Sequence, residues 1–266
     1  MIADKISEYL SESNSTVNDH LCYQIEKLAG LAFRRQFMTA PTSRSGALSL
    51  SGAGKCPRQL AYGLHNFEPM GKEIDGRGRM TFFQGDLVEL TLMTLARLAG
   101  CNIVGTGFNQ ICVKLDVDGT LIEGHPDGFL IGSDMTRLVE CKSMNSFAFE
   151  RFENGDIDDS YYAQINTYLE ATNLDECVMV AMNKDNGVVK ENIVFRDPVL
   201  INTIKTKLSL VLKSSRETLP DAPADLDADA KGFYPWNCLY CAYWGHCRTG
   251  AQRVVVGKSY KLKKGA

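Results

Sequence analysis

Apolar residues along the chain fall first into helical and then into strand spacing. From 18 to 37, Leu21, Ile25, Leu28 and Ala32 share one face behind Asn18, a side chain suited to capping, and predict a helix. A second helix is expected over 79–99, ended by Gly100, with Phe83, Leu87, Leu90 and Thr94 as its core-facing stripe. Pro57 suits the first turn of a short helix between them. After Gly100 the period turns toward two. Strands are expected near 103–114, 120–124, 127–132 and 137–143, with turns at Asp118-Gly119 and Ser133-Asp134. A helix over 159–172 follows, then strands 176–183 and 188–195 around Asp185-Asn186-Gly187, then a helix over 198–217. This order predicts an α/β fold with a mixed central sheet flanked by helices.

The remaining segments carry little periodicity. Residues 1–17 are polar and read as loosely ordered, 38–54 as a Ser, Gly, Thr and Pro loop, and Gly71 to Gly78 as a glycine-rich connection. Residues 217–231 form an acidic linker, and the tail from Arg248 to Ala266 carries cations and no acid. The division expected is 1–78, 79–217 and 218–266.

With 44% hydrophobic and 23% charged residues, the 266-residue chain has the composition of a soluble globular protein. The net charge of −3 argues against a blanket basic surface but leaves room for a local positive groove. No apolar run approaches the roughly 20 residues of a membrane span. Met1-Ile2-Ala3-Asp4-Lys5 lacks the core of a signal peptide, so a cytoplasmic, reducing setting is expected. The nine cysteines should then be thiols or metal ligands. Cys22, Cys101, Cys112, Cys141 and Cys177 sit in apolar or strand contexts and read as buried thiols.

Two constellations carry chemistry. On the strand 137–143, Glu140 and Lys142 should share a face and Cys141 the opposite one. Asp127 precedes Glu140 by twelve intervening residues. Paired carboxylates can hold a hard cation, and a lysine beside them can orient water at a phosphate. The second constellation is Cys238-x-x-Cys241 with Cys247 downstream. On spacing alone it suits a zinc knuckle, with Cys56 or His246 as the fourth ligand.

Pro126-Asp127 followed by Glu140-Cys141-Lys142 resembles the PD-(D/E)XK nucleases. Gly85-Asp86-Leu87-Val88-Glu89 upstream and Gln164-Ile165-Asn166-Thr167-Tyr168 downstream resemble the RecB-like branch, over about residues 50–250. The branch usually has His where this chain has Glu89, a change that keeps a hard-cation site and can alter metal preference. The resemblance implies a restriction-endonuclease-like core. Asp127 and Glu140 would hold Mg²⁺ or Mn²⁺, helped by Glu89 and the Cys141 carbonyl, while Lys142 positions water and Gln164 and Tyr168 orient the lysine and the DNA. Tyr161 could extend that face and stack a base. In RecB-like nucleases with an iron–sulfur cluster, such as the CRISPR-associated exonucleases and the AddB nuclease domain, one cysteine precedes the core and three follow it. That pattern implies a 4Fe–4S cluster on Cys56, Cys238, Cys241 and Cys247, acting as a staple. Trp236, Tyr240, Tyr243 and Trp244 around it read as shielding and packing aromatics, with DNA contact left open.

The implied function is a DNA exonuclease on single-stranded ends, 5′ to 3′ by resemblance, partnered in recombination, replication or CRISPR adaptation. The alternative is an iron–sulfur DNA-end-binding adaptor with a vestigial site. No Gly-x4-Gly-Lys-Ser/Thr loop occurs, so helicase action would need another chain. Lys258, Lys261, Lys263 and Lys264 are spaced for a mobile basic arm on the DNA backbone or for a solvated tail.

Overall fold

A computed structural model describes residues 1–12, 19–38, 46–70, 76–257 and 259–265. Asn18, the stretches 39–45 and 71–75, and Lys258 lie outside the described residues. The helices are α1 (Ile2–Ser11), α2 (Asp19–Phe37), α3 (Pro57–Leu64) and α4 (Gly76–Leu98). Then come β1 (Ile103–Val104), β2 (Val113–Val117), β3 (Thr120–Gly124), β4 (Gly128–Ile131) and β5 (Thr136–Met144). Helices α5 (Ser146–Glu153) and α6 (Asp159–Thr172) lead to β6 (Glu176–Asn183), β7 (Val189–Phe195) and α7 (Pro198–Leu212). The C-terminal part holds β8 (Phe233–Tyr234), α8 (Trp236–Leu239), α9 (Trp244–Cys247), β9 (Gln252–Val256) and β10 (Ser259–Lys263).

The central sheet has five strands in the order β1-β4-β5-β6-β7. Only β5 and β6 run parallel, because α5 and α6 carry the chain back across the sheet between them. Alternation along β5 sorts its side chains. Leu138 joins a core with Ile165, Leu169 and Leu208 of α6 and α7. Val139 and Cys141 join the opposite core with Val88 and Leu92 of α4 and with Ile2 and Ile6 of α1. Helices therefore cover both faces. The β2–β3 hairpin turns on Asp118-Gly119, both at positive φ, and packs against α6 and α7.

Several expectations need correction. Residues 2–11 are helical, because Ile2 and Ile6 are buried against the sheet and the Ala3 N–H donates to Glu191 Oε2 at 2.9 Å. Gly76 and Gly78 already belong to α4. That helix has two partners, so it has two apolar stripes. Val88, Leu92 and Ala96 face the sheet, whereas Phe83 packs edge-on against Phe33 and Phe37 of α2. The stretch 103–114 is not one strand, since a 3-10 turn over Gly107–Asn109 separates β1 from β2. A short helix, α5, was not expected. Asn145 caps it by accepting from the Ala148 N–H at 2.9 Å, and Phe149 and Phe152 anchor it in the core. Helix α7 ends at Leu212, not near 217. Cys112 is exposed, because the inward positions of β2 are Val113, Leu115 and Val117, while Cys101, Cys141 and Cys177 are buried.

The basic tail is no free arm over its described residues. β9 and β10 form a hairpin, β10 also pairs with β8, and Leu262 is fully buried against Cys238 and Leu239. Period-two alternation places Lys261 and Lys263 on one face, both over the Phe233 ring at 5.1 and 5.9 Å from its centroid.

Candidate active site

The pairing of β4 with β5 ends at Gly128 opposite Val139. Beyond that point the N–H groups of β5 lack a strand partner on the β4 side. The Asp127 carboxylate takes over, and its Oδ2 accepts from the Cys141 N–H at 2.8 Å. One short ladder thus places Asp127 beside Glu140. The turn carrying Asp127 is fixed in turn by Tyr168, whose hydroxyl donates to the His125 carbonyl at 3.2 Å. Gly124 permits this approach. A Cβ there would lie 2.7 Å from both the Leu50 side chain and the Tyr168 ring.

Glu140 and Lys142 project together toward α6, as the strand period requires. Lys142 Nζ donates to Glu140 Oε1, and Gln164 Nε2 donates to the same oxygen at 2.9 Å. The Lys142 ammonium also lies over the Tyr161 ring, 4.9 Å from its centroid. Glu140 is only 2% exposed, and its second oxygen, Oε2, is buried with no hydrogen-bond partner. A buried, unpartnered carboxylate oxygen is costly unless something cationic satisfies it.

Glu89 reaches the same cleft from α4. Gln110, in the connection before β2, donates to Asp127 Oδ1 at 3.2 Å and toward Glu89 Oε1 at 3.4 Å, bridging the two acids. Asp86, one turn before Glu89, is paired with Arg35 and accepts from Gln36 at 3.0 Å. Glu89, Asp127, Glu140, Cys141, Lys142, Tyr161, Gln164 and Tyr168 all line one cleft of about 540 Å³. Gln110 and the half-exposed Phe82 line it as well, and the sequence reading missed both. Phe82 lies one residue before the noted Phe83 and carries no motif, so only the fold reveals it.

The electrostatics are those of crowded acids. Burial, then Asp86 and Glu140, push the Glu89 carboxyl up to about 7. Burial, then Glu140 and Glu89, raise Asp127 well above the usual carboxylate range. Burial opposes charge on Lys142, but Glu140 and Asp127 outweigh it and hold the ammonium above the ordinary lysine value. The donor set of hard oxygens, the mutual repulsion and the orphaned Glu140 oxygen fit a divalent cation. Among the described residues, however, no three or more His, Cys, Asp or Glu side chains are gathered closely enough to hold a metal ion as they stand.

Cys56, Cys238, Cys241 and Cys247 line a second cleft of about 570 Å³. Cys56 precedes α3, Cys238 lies in α8, Cys241 follows it and Cys247 ends α9. Burial raises the thiol pKa values of Cys238, Cys241 and Cys247, that of Cys241 to about 11, and the neighbouring cysteines push in the same direction. Arg248 opposes the rise at Cys238 and Cys247. The donor chemistry of four thiols beside a guanidinium suits a thiolate-ligated group, although no three of them are gathered as a ligand set. Lys207 of α7 holds the first cysteine's loop by donating to the carbonyls of Ala53 and, at 3.2 Å, Lys55. His246, the spacing alternative, instead contacts the Glu68 carbonyl at 2.8 Å. Tyr243 stacks on Tyr62 with centroids 5.5 Å apart. Trp236 and Tyr240 line the same cleft as the thiols but are 64% and 76% exposed. Among the described residues no helix is long and apolar enough to cross a membrane.

No protein-family model matches the sequence, and no curated protein matches it. Solved structures do resemble the fold. The crystal structure of SSO0001 superposes with a TM-score of 0.50 at 14% identity, over 84% of this chain and 95% of that one. An alkaline exonuclease (LHK-Exo) from Laribacter hongkongensis gives 0.45 at 21% identity, over 64% of this chain and 87% of that one. The same enzyme in complex with dAMP gives 0.45 at 20%. The likeness to SSO0001 is one of fold alone, and the two exonuclease superpositions are too partial to carry an argument.

Proposed function

We propose that the chain is a divalent-metal-dependent DNA nuclease that hydrolyses phosphodiester bonds at single-stranded ends. The observation that supports this most is the unpartnered Glu140 Oε2, buried in a cleft shared with Asp127, Glu89 and Lys142. Asp127, Glu140 and Glu89 would hold Mg²⁺ or Mn²⁺, with the Cys141 carbonyl as a further oxygen. Bound there, the ion would polarise a phosphate oxygen and lower the pKa of a water.

The chain's own residues do the rest. Lys142 stays charged beside Glu140 and offsets the negative charge that builds on the phosphate under attack. Gln164 fixes the Glu140 oxygen that Lys142 also contacts, so the carboxylate keeps one orientation. Gln110 spans Glu89 and Asp127 and holds the two walls of the cleft in register. Tyr168 acts one step away, through the His125 carbonyl and the turn that carries Asp127.

The four cysteines would hold a 4Fe–4S cluster that ties the loop before α3 to the C-terminal segment. Polarity of 5′ to 3′ follows from the family resemblance, as does a partner in recombination, replication or CRISPR adaptation. The test is anaerobic purification followed by incubation with Mg²⁺ or Mn²⁺ and single strands, linear and end-labelled or circular. Progressive loss of the linear strand from its 5′ end is expected, with the circle spared. Cleavage of neither strand with either ion would overturn the nuclease reading. Iron and labile sulfide analysis of the same sample tests the cluster, and one zinc per chain without sulfide would replace it.

A further inference from the structure

Two further features go beyond the catalytic cleft, namely the adjacency of three clefts and a pair of bare aromatic rings between them. Ser51, Tyr161 and Gln164 line both the catalytic cleft and the thiol cleft, so the two adjoin along these side chains. Asp225, Trp236 and Tyr240 line both the thiol cleft and a third one, of about 560 Å³, walled by Phe233, Tyr260 and Lys261. A track of three adjoining clefts thus runs from the catalytic carboxylates past the thiols to the β8–β10 sheet.

Trp236 and Tyr240 stand at i and i+4 around α8, while Cys238 and Leu239 between them turn into the core. Their rings meet edge to face, 6.4 Å between centroids. Tyr260 is 65% exposed in the next cleft. Large rings left in water on a ridge between two clefts suit a ligand with flat apolar faces. The cations along the track suit one with a negative backbone. Lys55, Lys207 and Arg248 line the thiol cleft against Asp159 and Asp225, and Lys261 lines the third. Of the acids beyond, Asp227 is paired with Arg248 at 2.9 Å and Asp229 accepts the N–H groups of Lys231 and Phe233. Asp159 in the thiol cleft and Asp225, which faces both clefts, are the acids on this path that would oppose a phosphate.

We infer that Trp236 and Tyr240 form a stacking platform for unpaired bases, which guides a single strand along this track to or from the catalytic cleft. The inference rests on the nuclease reading for what happens at the track's far end. Stacking needs unpaired bases, so the platform favours single strands over duplex.

The test is fluorescence anisotropy of a labelled thirty-nucleotide oligothymidylate, and of a duplex of equal length, on the full chain in EDTA. Trp236→Ala and Tyr240→Ala should each weaken single-strand binding by roughly 5- to 150-fold, the equivalent of ~1–3 kcal/mol per stacked base. Duplex binding should change far less. Trp236→Phe with Tyr240→Phe keeps the rings and should keep the affinity. Asp225→Asn should tighten it. Photo-crosslinking of a bromodeoxyuridine strand to the unsubstituted chain needs no variant, and adducts should fall on Trp236 or Tyr240. Unchanged affinity in both alanine variants, or adducts only elsewhere, would overturn the platform. Ring-dependent binding by a chain that cleaves nothing would sink the nuclease reading and leave the platform standing. Cleavage by a chain whose single-strand affinity ignores the rings would do the reverse.

Discussion

The carboxylate cleft and the thiol cleft share a wall at Ser51, Tyr161 and Gln164, yet they are assembled by different means. The first is set into the central sheet. Asp127 continues the β4–β5 ladder through the Cys141 N–H, Gln164 and Lys142 pin Glu140, and Tyr168 ties the intervening turn. Backbone pairing and α6 would hold these side chains with or without an ion. The second is made of two four-residue helices and one cysteine 182 residues away (238 − 56). Its two halves meet through ring contacts such as Tyr62 on Tyr243 and through His246 at the Glu68 carbonyl, while Lys207 of α7 holds the Ala53 and Lys55 carbonyls. A site on a sheet is rigid, so an ion bound there would be free to serve chemistry. A site on short, distant pieces would need a bound group to hold itself together.

That contrast can be broken by substitution. Lys142→Met should cut cleavage by roughly 10²- to 10³-fold, the effect of losing one preorganised charge at a reacting group. Its melting temperature should fall less than that of the cysteine variant below, because the sheet is unchanged and Gln164 still holds Glu140, although the buried carboxylate loses its cation. A large drop in melting temperature would mean the first cleft is no more self-supporting than the second.

Cys56→Ser probes the other side. If the cysteines close so long a loop, its loss should cost on the order of 3–5 kcal/mol. Thermal melting and iron content should fall together. A melting temperature that holds while iron is lost would show that the bound group is no staple.

Much of the first cleft was legible in the sequence because strand period and motif spacing are local properties. Glu140 and Lys142 share a face since they are two apart, and Asp118-Gly119 sets a hairpin by its own backbone preference. Gln110 was illegible. It lies in a connection, and only the folding of β1 and β2 onto different sheets brings it between Glu89 and Asp127. Helix α1 was missed because its helicity depends on burying Ile2 and Ile6 against a sheet formed far downstream. The C-terminal hairpin does leave a signal, the run Val254-Val255-Val256 before Gly257, but the density of lysines around it masks the strand pattern. Cys56 and Cys238 are separated by the whole core, so spacing alone leaves Cys56 and His246 as alternatives and only the family resemblance favours Cys56.

Gly124→Ala tests the wall that joins the clefts to the fold. Its methyl would press on Leu50 and Tyr168 at 2.7 Å. About 1–3 kcal/mol of stability should be lost to overpacking, with a parallel loss of cleavage as the Asp127 turn shifts. Full activity at unchanged stability would show that the turn does not position Asp127.

The smallest effect lies away from both clefts and calibrates them. Bonding to Arg196, then to Lys205 against the opposing burial, holds the Glu170 carboxylate below its usual value. A depressed acid stabilises the fold above its unfolded value, about 4.3, and that contribution disappears as pH falls through the lower folded value. Glu170→Gln should therefore cost up to about 1 kcal/mol at neutral pH. The difference from the parent should vanish in acid, as melts across pH 2 to 7 would reveal. An equal deficit at every pH would mean that packing, not charge, carries it.

The central claim is that the orphaned Glu140 oxygen is the seat of a divalent cation. Electron paramagnetic resonance titration of Mn²⁺ tests it directly, on metal-free parent protein and on Glu140→Gln prepared alongside. Glutamine keeps the shape and the Gln164 neighbour but removes the charge. The account predicts that the parent takes up Mn²⁺ and that the variant binds it at least ~10-fold more weakly, with unchanged melting. Equal Mn²⁺ affinity in the two proteins would contradict it.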